Sequence, residues 1–230
     1  MHQLLVRHGL PGIDHDLRRA FSDADLTLYA DLPSLFPAVK RTPQAVFMGP
    51  VGWEPPVAAP SWWNRIPENA PVAYVTLGSS GDAGRLASVT GWASQLGFTV
   101  IAATAGLTAL DGDGRGLFAA DYLPGRSAAA RADIVICNGG SPTASQALAA
   151  GRPVLGLCSN LDQFLNMRAV QSRGAGLALG ADRLSPTAFE KAVATLRQPS
   201  FDTAARSLAT EAAAMDPVAV LIQSVASLMG

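Results

Sequence analysis

The run ADIVICNGGSPTASQALAAG, residues 132–151, changes character twice. Residues 133–137 (DIVIC) are continuous and apolar, as a strand buried on both faces requires. Asn138, Gly139, Gly140 and Ser141 then form a turn, and Pro142 suits the first turn of a helix that runs to residue 150. Glycines let the backbone pass close to a ligand. The start of the helix presents unpaired N–H groups and partial positive charge. A strand, a glycine turn and a helix N-terminus in this order make an anion site suited to a diphosphate. The position, at the C-terminal end of a parallel strand, is where open α/β sheets bind ligands.

The same alternation extends outward in both directions. Upstream, residues 71–77 (PVAYVTL) read as a strand, 84–96 as a helix, 98–103 and 117–120 as strands, and 127–131 as a short helix. Downstream, 153–157 (PVLGL) is a strand, 161–173 a helix and 176–179 a closing strand. Helices are expected over 186–197, 203–215 and 217–229, with Ser185 capping the first of them. The fold class is therefore α/β: a Rossmann-like parallel sheet flanked by helices, with a C-terminal helical tail.

The N-terminal third differs. A short helix is expected over 14–21 and a strand over 25–30, whereas residues 48–71 hold six prolines and little periodicity. The expected organisation is an end piece of another domain over 1–45, a linker over 46–70 and the sheet domain over 71–230.

Of the 230 residues, 49% are hydrophobic and 15% charged, which supports a buried core and argues against disorder. The net charge is −1, with no basic stretch to serve nucleic acid or an anionic membrane surface. No apolar run approaches the roughly 18–20 residues of a membrane span, and no signal-peptide core opens the chain. A cytoplasmic location is expected. Cys137 and Cys158 lie within strands and read as buried free thiols, with no other ligands nearby to make a metal site.

Two further loops carry polar groups. Gly78-Ser79-Ser80-Gly81 follows the first strand of the domain, but its glycine spacing departs from the dinucleotide fingerprint, and no acidic residue ends the strand over 98–103 to hold a ribose. Asn160–Asn166 (NLDQFLN) places Asp162 and Gln163 at a helix N-terminus, where a carboxylate beside a carboxamide can hold vicinal hydroxyls or Asp162 can simply cap the helix.

As a set these pieces resemble the donor-binding signature of the UDP-glycosyltransferase family, including the bacterial macrolide and antibiotic glycosyltransferases of the GT-B fold. The matching residues are Gly49-Pro50-Val51-Gly52, Gly78-Ser79, Tyr122-Leu123-Pro124-Gly125, Asn138-Gly139-Gly140-Ser141-Pro142-Thr143, Gln146-Ala147-Leu148, Gly151-Arg152-Pro153, and Asp162-Gln163 with Asn166. The resemblance implies that Tyr122 stacks on the nucleobase beside Leu123. It puts Asn138, Gly139, Gly140, Ser141 and Thr143 around the diphosphate, with Ser79 on its distal side. Gln146 would reach the ribose, and Asp162 and Gln163 the sugar. The implied donor is a UDP- or TDP-hexose, transferred with inversion to a hydroxyl acceptor, with no cofactor and no metal.

Four positions depart from the family pattern. Asn138 stands for a histidine, Pro142 for a glycine, Gln146 for a glutamate and Gly125 for a glutamine. Each retunes a donor contact. In the family a histidine near the start of a preceding acceptor domain is the catalytic base. His2, His8 and His15 do not match that context, so no catalytic residue is expected in this chain. The chain then reads as part of a hexosyltransferase, whether excised, truncated or one subunit of a split enzyme, that needs an acceptor domain or partner subunit. The alternative is a non-catalytic nucleotide-sugar-binding subunit. An epimerase would need a carboxylate pair, which Asp162 alone does not supply. The apolar segment over 217–229 is expected to present a surface for a partner or for self-association.

Overall fold

A computed structural model describes residues 2–12, 24–39, 41–78 and 82–229. The chain divides into two compact units, Met1–Val51 with Met215–Gly230, and Gly52–Ala214.

In the first unit, helix α1 (His2–Arg7) is followed by two short parallel strands, β1 (Thr27–Tyr29) and β2 (Ala45–Phe47). Their register sets Tyr29 opposite Phe47, and the two rings stack at 5.0 Å between centroids. The strand expected over 25–30 is β1. Neither α1 nor β2 was anticipated, because a single turn of helix or three strand residues carry too little periodicity to read. The helix expected over 14–21 lies outside the described residues.

The second unit opens with the proline-rich segment, which packs rather than dangles. Trp62 tilts against Phe118 at 5.5 Å, Arg131 lies over the Trp63 ring at 5.5 Å, and Ile66 is buried. Then come β3 (Val72–Thr76), α2 (Leu86–Gln95), β4 (Thr99–Ala103), β5 (Leu117–Ala120), α3 (Gly125–Arg131), β6 (Ile134–Cys137), α4 (Ser141–Ala149), β7 (Val154–Cys158), α5 (Leu161–Ser172), β8 (Gly176–Gly180), α6 (Pro186–Leu196) and α7 (Pro199–Ala213). Helix α7 starts four residues before the expected position, because Pro199 occupies its first turn. Ser185 caps α6 as expected, accepting from Ala188 N at 3.2 Å.

The six strands are all parallel, in the order β5-β4-β3-β6-β7-β8. Strands β3, β4, β6 and β7 are buried along their whole length, while the edge strands β5 and β8 are half-buried. The continuous apolar runs are explained by this burial on both faces. On one face Val75, Val100, Ile136 and Leu155 pack with Val89 of α2 and Phe189 of α6. Trp92 tilts onto Phe189 at 5.7 Å. The start of β6 is tied to β3 by Asp133, whose carboxylate accepts from Val72 N at 2.8 Å.

The direction of strand addition reverses between β3 and β6, so a crevice opens there at the C-terminal ends of the strands. The last helix, α8 (Pro217–Met229), belongs to the first unit and leaves Val218, Leu221, Ile222, Val225, Leu228 and Met229 exposed. Among the described residues no single helix is long and apolar enough to cross a membrane.

Phe189 is fully buried at the centre of the α2–α6 layer. Phe189→Ala should cost about 3–5 kcal/mol, read as a lowered midpoint in urea denaturation.

Candidate functional site

Asn138, Gly139 and Gly140 connect β6 to α4. Gly139 takes φ +84, and a Cβ there would lie 2.8 Å from Cys158 Sγ and 2.9 Å from Met167 Cγ. Only glycine fits, on grounds of both conformation and space. The loop is held from α5 as well, where Asn166 Nδ2 donates to Gly139 O at 2.8 Å. Asn138 is buried, and its Oδ1 accepts from Gly140 N at 3.0 Å, closing a turn within the loop. The Gly140 N–H is therefore already engaged. Proline at 142 has no N–H. The first-turn donors of α4 are thus Ser141 N–H and Thr143 N–H, together with the two hydroxyls.

These groups line a cavity of about 400 Å³ set in the crevice between β3 and β6. Of the residues expected at the site, Tyr122, Leu123, Asn138, Gly140, Ser141, Thr143, Gln146, Asp162 and Gln163 all line it. Gly139 lies directly behind, at the contact with Cys158 and Met167. Ser79 lies outside the described residues.

The structure refines several of these side chains. The helix α5 is capped by Asn160, whose Oδ1 accepts from Gln163 N at 3.0 Å, which leaves the Asp162 carboxylate to the cavity rather than to the cap. Gln163 is buried, and its Oε1 accepts from Ser159 N at 2.8 Å and from Ser159 Oγ at 3.1 Å. Because a backbone N–H can only donate, the carboxamide orientation is settled, and what Gln163 can offer a ligand is its NH2. Gln146, expected to reach a ribose, donates from Nε2 to Trp53 O at 3.0 Å, and its acceptor Oε1 lies against Gly125. Tyr122 keeps an exposed ring, with its hydroxyl donating to Ala105 O at 3.2 Å.

The sequence reading missed Trp53, Glu54, Tyr74, Thr76, Asp121 and Asn160, which also line the cavity. Trp53 and Glu54 sit in a stretch whose prolines suggested a bare linker. Glu54 Oε2 accepts from Arg126 N at 2.8 Å and so caps α3. Asp121 directly follows β5 and accepts from Thr104 Oγ1 at 2.8 Å; a search for an acid after each strand, not only after β4, would have found it. Tyr74 is buried at the cavity floor, and its hydroxyl is pushed up by burial, so it remains a protonated phenol.

Glu54, Asp121 and Asp162 are the ionisable carboxylates of the cavity, and no Lys, Arg or His stands among its described lining residues. An anion bound here would be held by helix-terminal N–H groups and hydroxyls rather than by side-chain cations. Among the described residues no group of three or more His, Cys, Asp or Glu is placed to hold a metal ion.

A parallel α/β sheet with a cavity at its switch point and a glycine-loop helix starting at that cavity is an architecture shared by the C-terminal domains of GT-B glycosyltransferases. Residues 103–228 match the family described as Erythromycin biosynthesis protein CIII-like, C-terminal domain, and the chain belongs to that family. It is 48% identical over 210 residues to a PGL/p-HBAD biosynthesis glycosyltransferase of Mycobacterium tuberculosis (strain ATCC 25177 / H37Ra), covering 91% of this chain and 49% of the relative. The chain thus spans about half the length of the curated relatives it matches. Among solved structures it resembles the spinosyn rhamnosyltransferase SpnG, with TM-score 0.74 and 26% identity over 97% of this chain and 61% of that one. It also resembles the glycosyltransferase VinC in complex with DTDP, with TM-score 0.71 and 22% identity over 87% of this chain and 51% of that one.

Burial pushes the Cys137 thiol up to about 12 and the Cys158 thiol to about 11, so both stay protonated and unreactive near neutrality. Iodoacetamide at pH 8 should leave both unlabelled in the folded chain and label both in denaturant, read by intact mass.

Proposed function

We propose that this chain binds the nucleotide-diphosphate sugar, a UDP- or TDP-hexose, in a reaction that transfers the sugar with inversion to a hydroxyl acceptor. The observation that carries this reading is the placement of the α4 N-terminus in the switch-point cavity. At about 400 Å³ the cavity falls within the roughly 300–1,000 Å³ of small-molecule sites. Its polar groups are distributed as such a donor demands. Ser141 and Thr143 supply N–H and hydroxyl donors for the diphosphate. Gln163 supplies an NH2 and Asp162 a carboxylate for the sugar hydroxyls. Tyr122 supplies a flat face for the base.

In the transfer, the acceptor oxygen forms a bond to the anomeric carbon as the bond from that carbon to the diphosphate oxygen breaks. The acceptor proton passes to a base, and negative charge grows on the departing diphosphate. The α4 dipole and its first-turn donors would stabilise that charge. We place the base and the acceptor site in an acceptor domain that this chain does not supply, in keeping with its covering 49% of a related glycosyltransferase. The rhamnosyltransferase named above and the DTDP complex of VinC favour a thymidine-diphosphate deoxyhexose within the proposed donor class.

Isothermal titration of the chain with TDP and with UDP should show saturable binding of at least one. Thr143→Val should weaken it about tenfold, since a hydrogen bond to a charged group is worth about 1.5 kcal/mol. Absence of binding by both nucleotides would overturn the reading.

A further inference from the structure

Trp53 is 75% exposed, more than any other large apolar side chain lining the cavity. Its backbone is nevertheless anchored. Its carbonyl accepts from Gln146 Nε2 at 3.0 Å, and the next residue, Glu54, accepts from Arg126 N at 2.8 Å. The two bonds anchor the segment to the first turn of α3 and the middle of α4. Gln146 itself is held in place by a gap made for it. A Cβ on Gly125 would overlap Gln146 Oε1 and lie 3.0 Å from its Cδ, so the glutamine lies flat where a side chain at 125 would project. The same cavity is lined by Tyr122, whose ring is 54% exposed and whose hydroxyl is tied to Ala105 O. Two exposed aromatic side chains lining one cavity, one carried on an anchored backbone and one tied by its hydroxyl, leave apolar area that a flat, conjugated ligand group would cover. The other three tryptophans are occupied elsewhere, with Trp62 on Phe118, Trp63 under Arg131 and Trp92 on Phe189.

We infer that Trp53 is a second nucleobase-contacting residue of the donor cavity, and that Gln146 is the positioning residue that holds it there, in place of a direct ribose contact. This inference rests on the donor-site reading above. A carboxylate at position 146 would have no hydrogen to give the Trp53 carbonyl and would repel it. Gln146 and Gly125 therefore form a matched pair, the small residue admitting the clamp.

The test is titration of the full chain with TDP and UDP, followed by calorimetry and by tryptophan fluorescence, with folding of each variant checked by circular dichroism. In the unaltered chain, binding should be saturable and should quench tryptophan emission. Trp53→Ala should bind about tenfold more weakly, in the range for loss of an aromatic–base stack. Trp53→Phe should keep affinity within about threefold but lose most of the quench, which retains a decision even if the alanine variant does not fold. Gln146→Glu should bind about tenfold more weakly with a smaller quench. Unchanged affinity in Trp53→Ala, or a full quench in Trp53→Phe, overturns the role of Trp53. Gln146→Glu binding as tightly as the unaltered chain, or more tightly, overturns the clamp and restores a ribose role to position 146. If the unaltered chain binds neither nucleotide, the donor-site reading falls and this inference with it, a result distinct from one in which only the variants behave unexpectedly.

Discussion

Gly139 lies within van der Waals reach of Cys158 and Met167, at the point where the end of β6, the end of β7 and α5 converge. That approach is possible only without a Cβ and with positive φ, and much of the cavity depends on it. It sets the height of the β6–α4 turn, and through the turn the direction in which α4 points its first N–H groups. Asn166 holds the same carbonyl from α5, so the helix carrying Asp162 and Gln163 and the loop carrying Gly140 and Ser141 are fixed to one another. The groups proposed to hold a diphosphate and a sugar are thereby placed at a constant separation by backbone contact rather than by long flexible side chains.

The electrostatics follow from the same arrangement. With no cation among the described lining residues, the proposed anion binding would draw on oriented dipoles and hydroxyls. Asn138 spends its oxygen on Gly140 N, and Pro142 contributes no N–H, so the set of donors is narrower than a glycine-rich turn could offer. This narrowing concentrates the demand on Ser141 and Thr143. Burial keeps the Tyr74 phenol neutral, so the acidic groups lining the cavity are the carboxylates of Glu54, Asp121 and Asp162.

The proline-rich segment shows why composition misleads at a domain edge. Prolines remove donors and periodicity, which reads as a linker, yet a segment without regular hydrogen bonding has carbonyls and side chains free for others. Here Trp53 O and Glu54 accept from α4 and α3 respectively, and the segment becomes a wall of the cavity. Nothing local to residues 52–55 announces this, because both partners lie more than seventy positions away along the chain.

The amino-acid sequence by itself determined the parallel sheet, since unbroken apolar runs such as residues 133–137 can only be accommodated with helices on both faces. It also determined the glycine turn between β6 and α4, because strand, glycines and helix start are contiguous and their chemistry is local. Only the tertiary structure decided what individual polar groups are left to do. Gln146, Asn138 and Gln163 each have a carboxamide that could meet a ligand or a neighbour, and the choice was made by backbone groups on other segments: Trp53 O, Gly140 N and Ser159 N. A hydrogen bond is satisfied by whichever partner folding brings within about 3 Å, and that partner cannot be read from the residue alone.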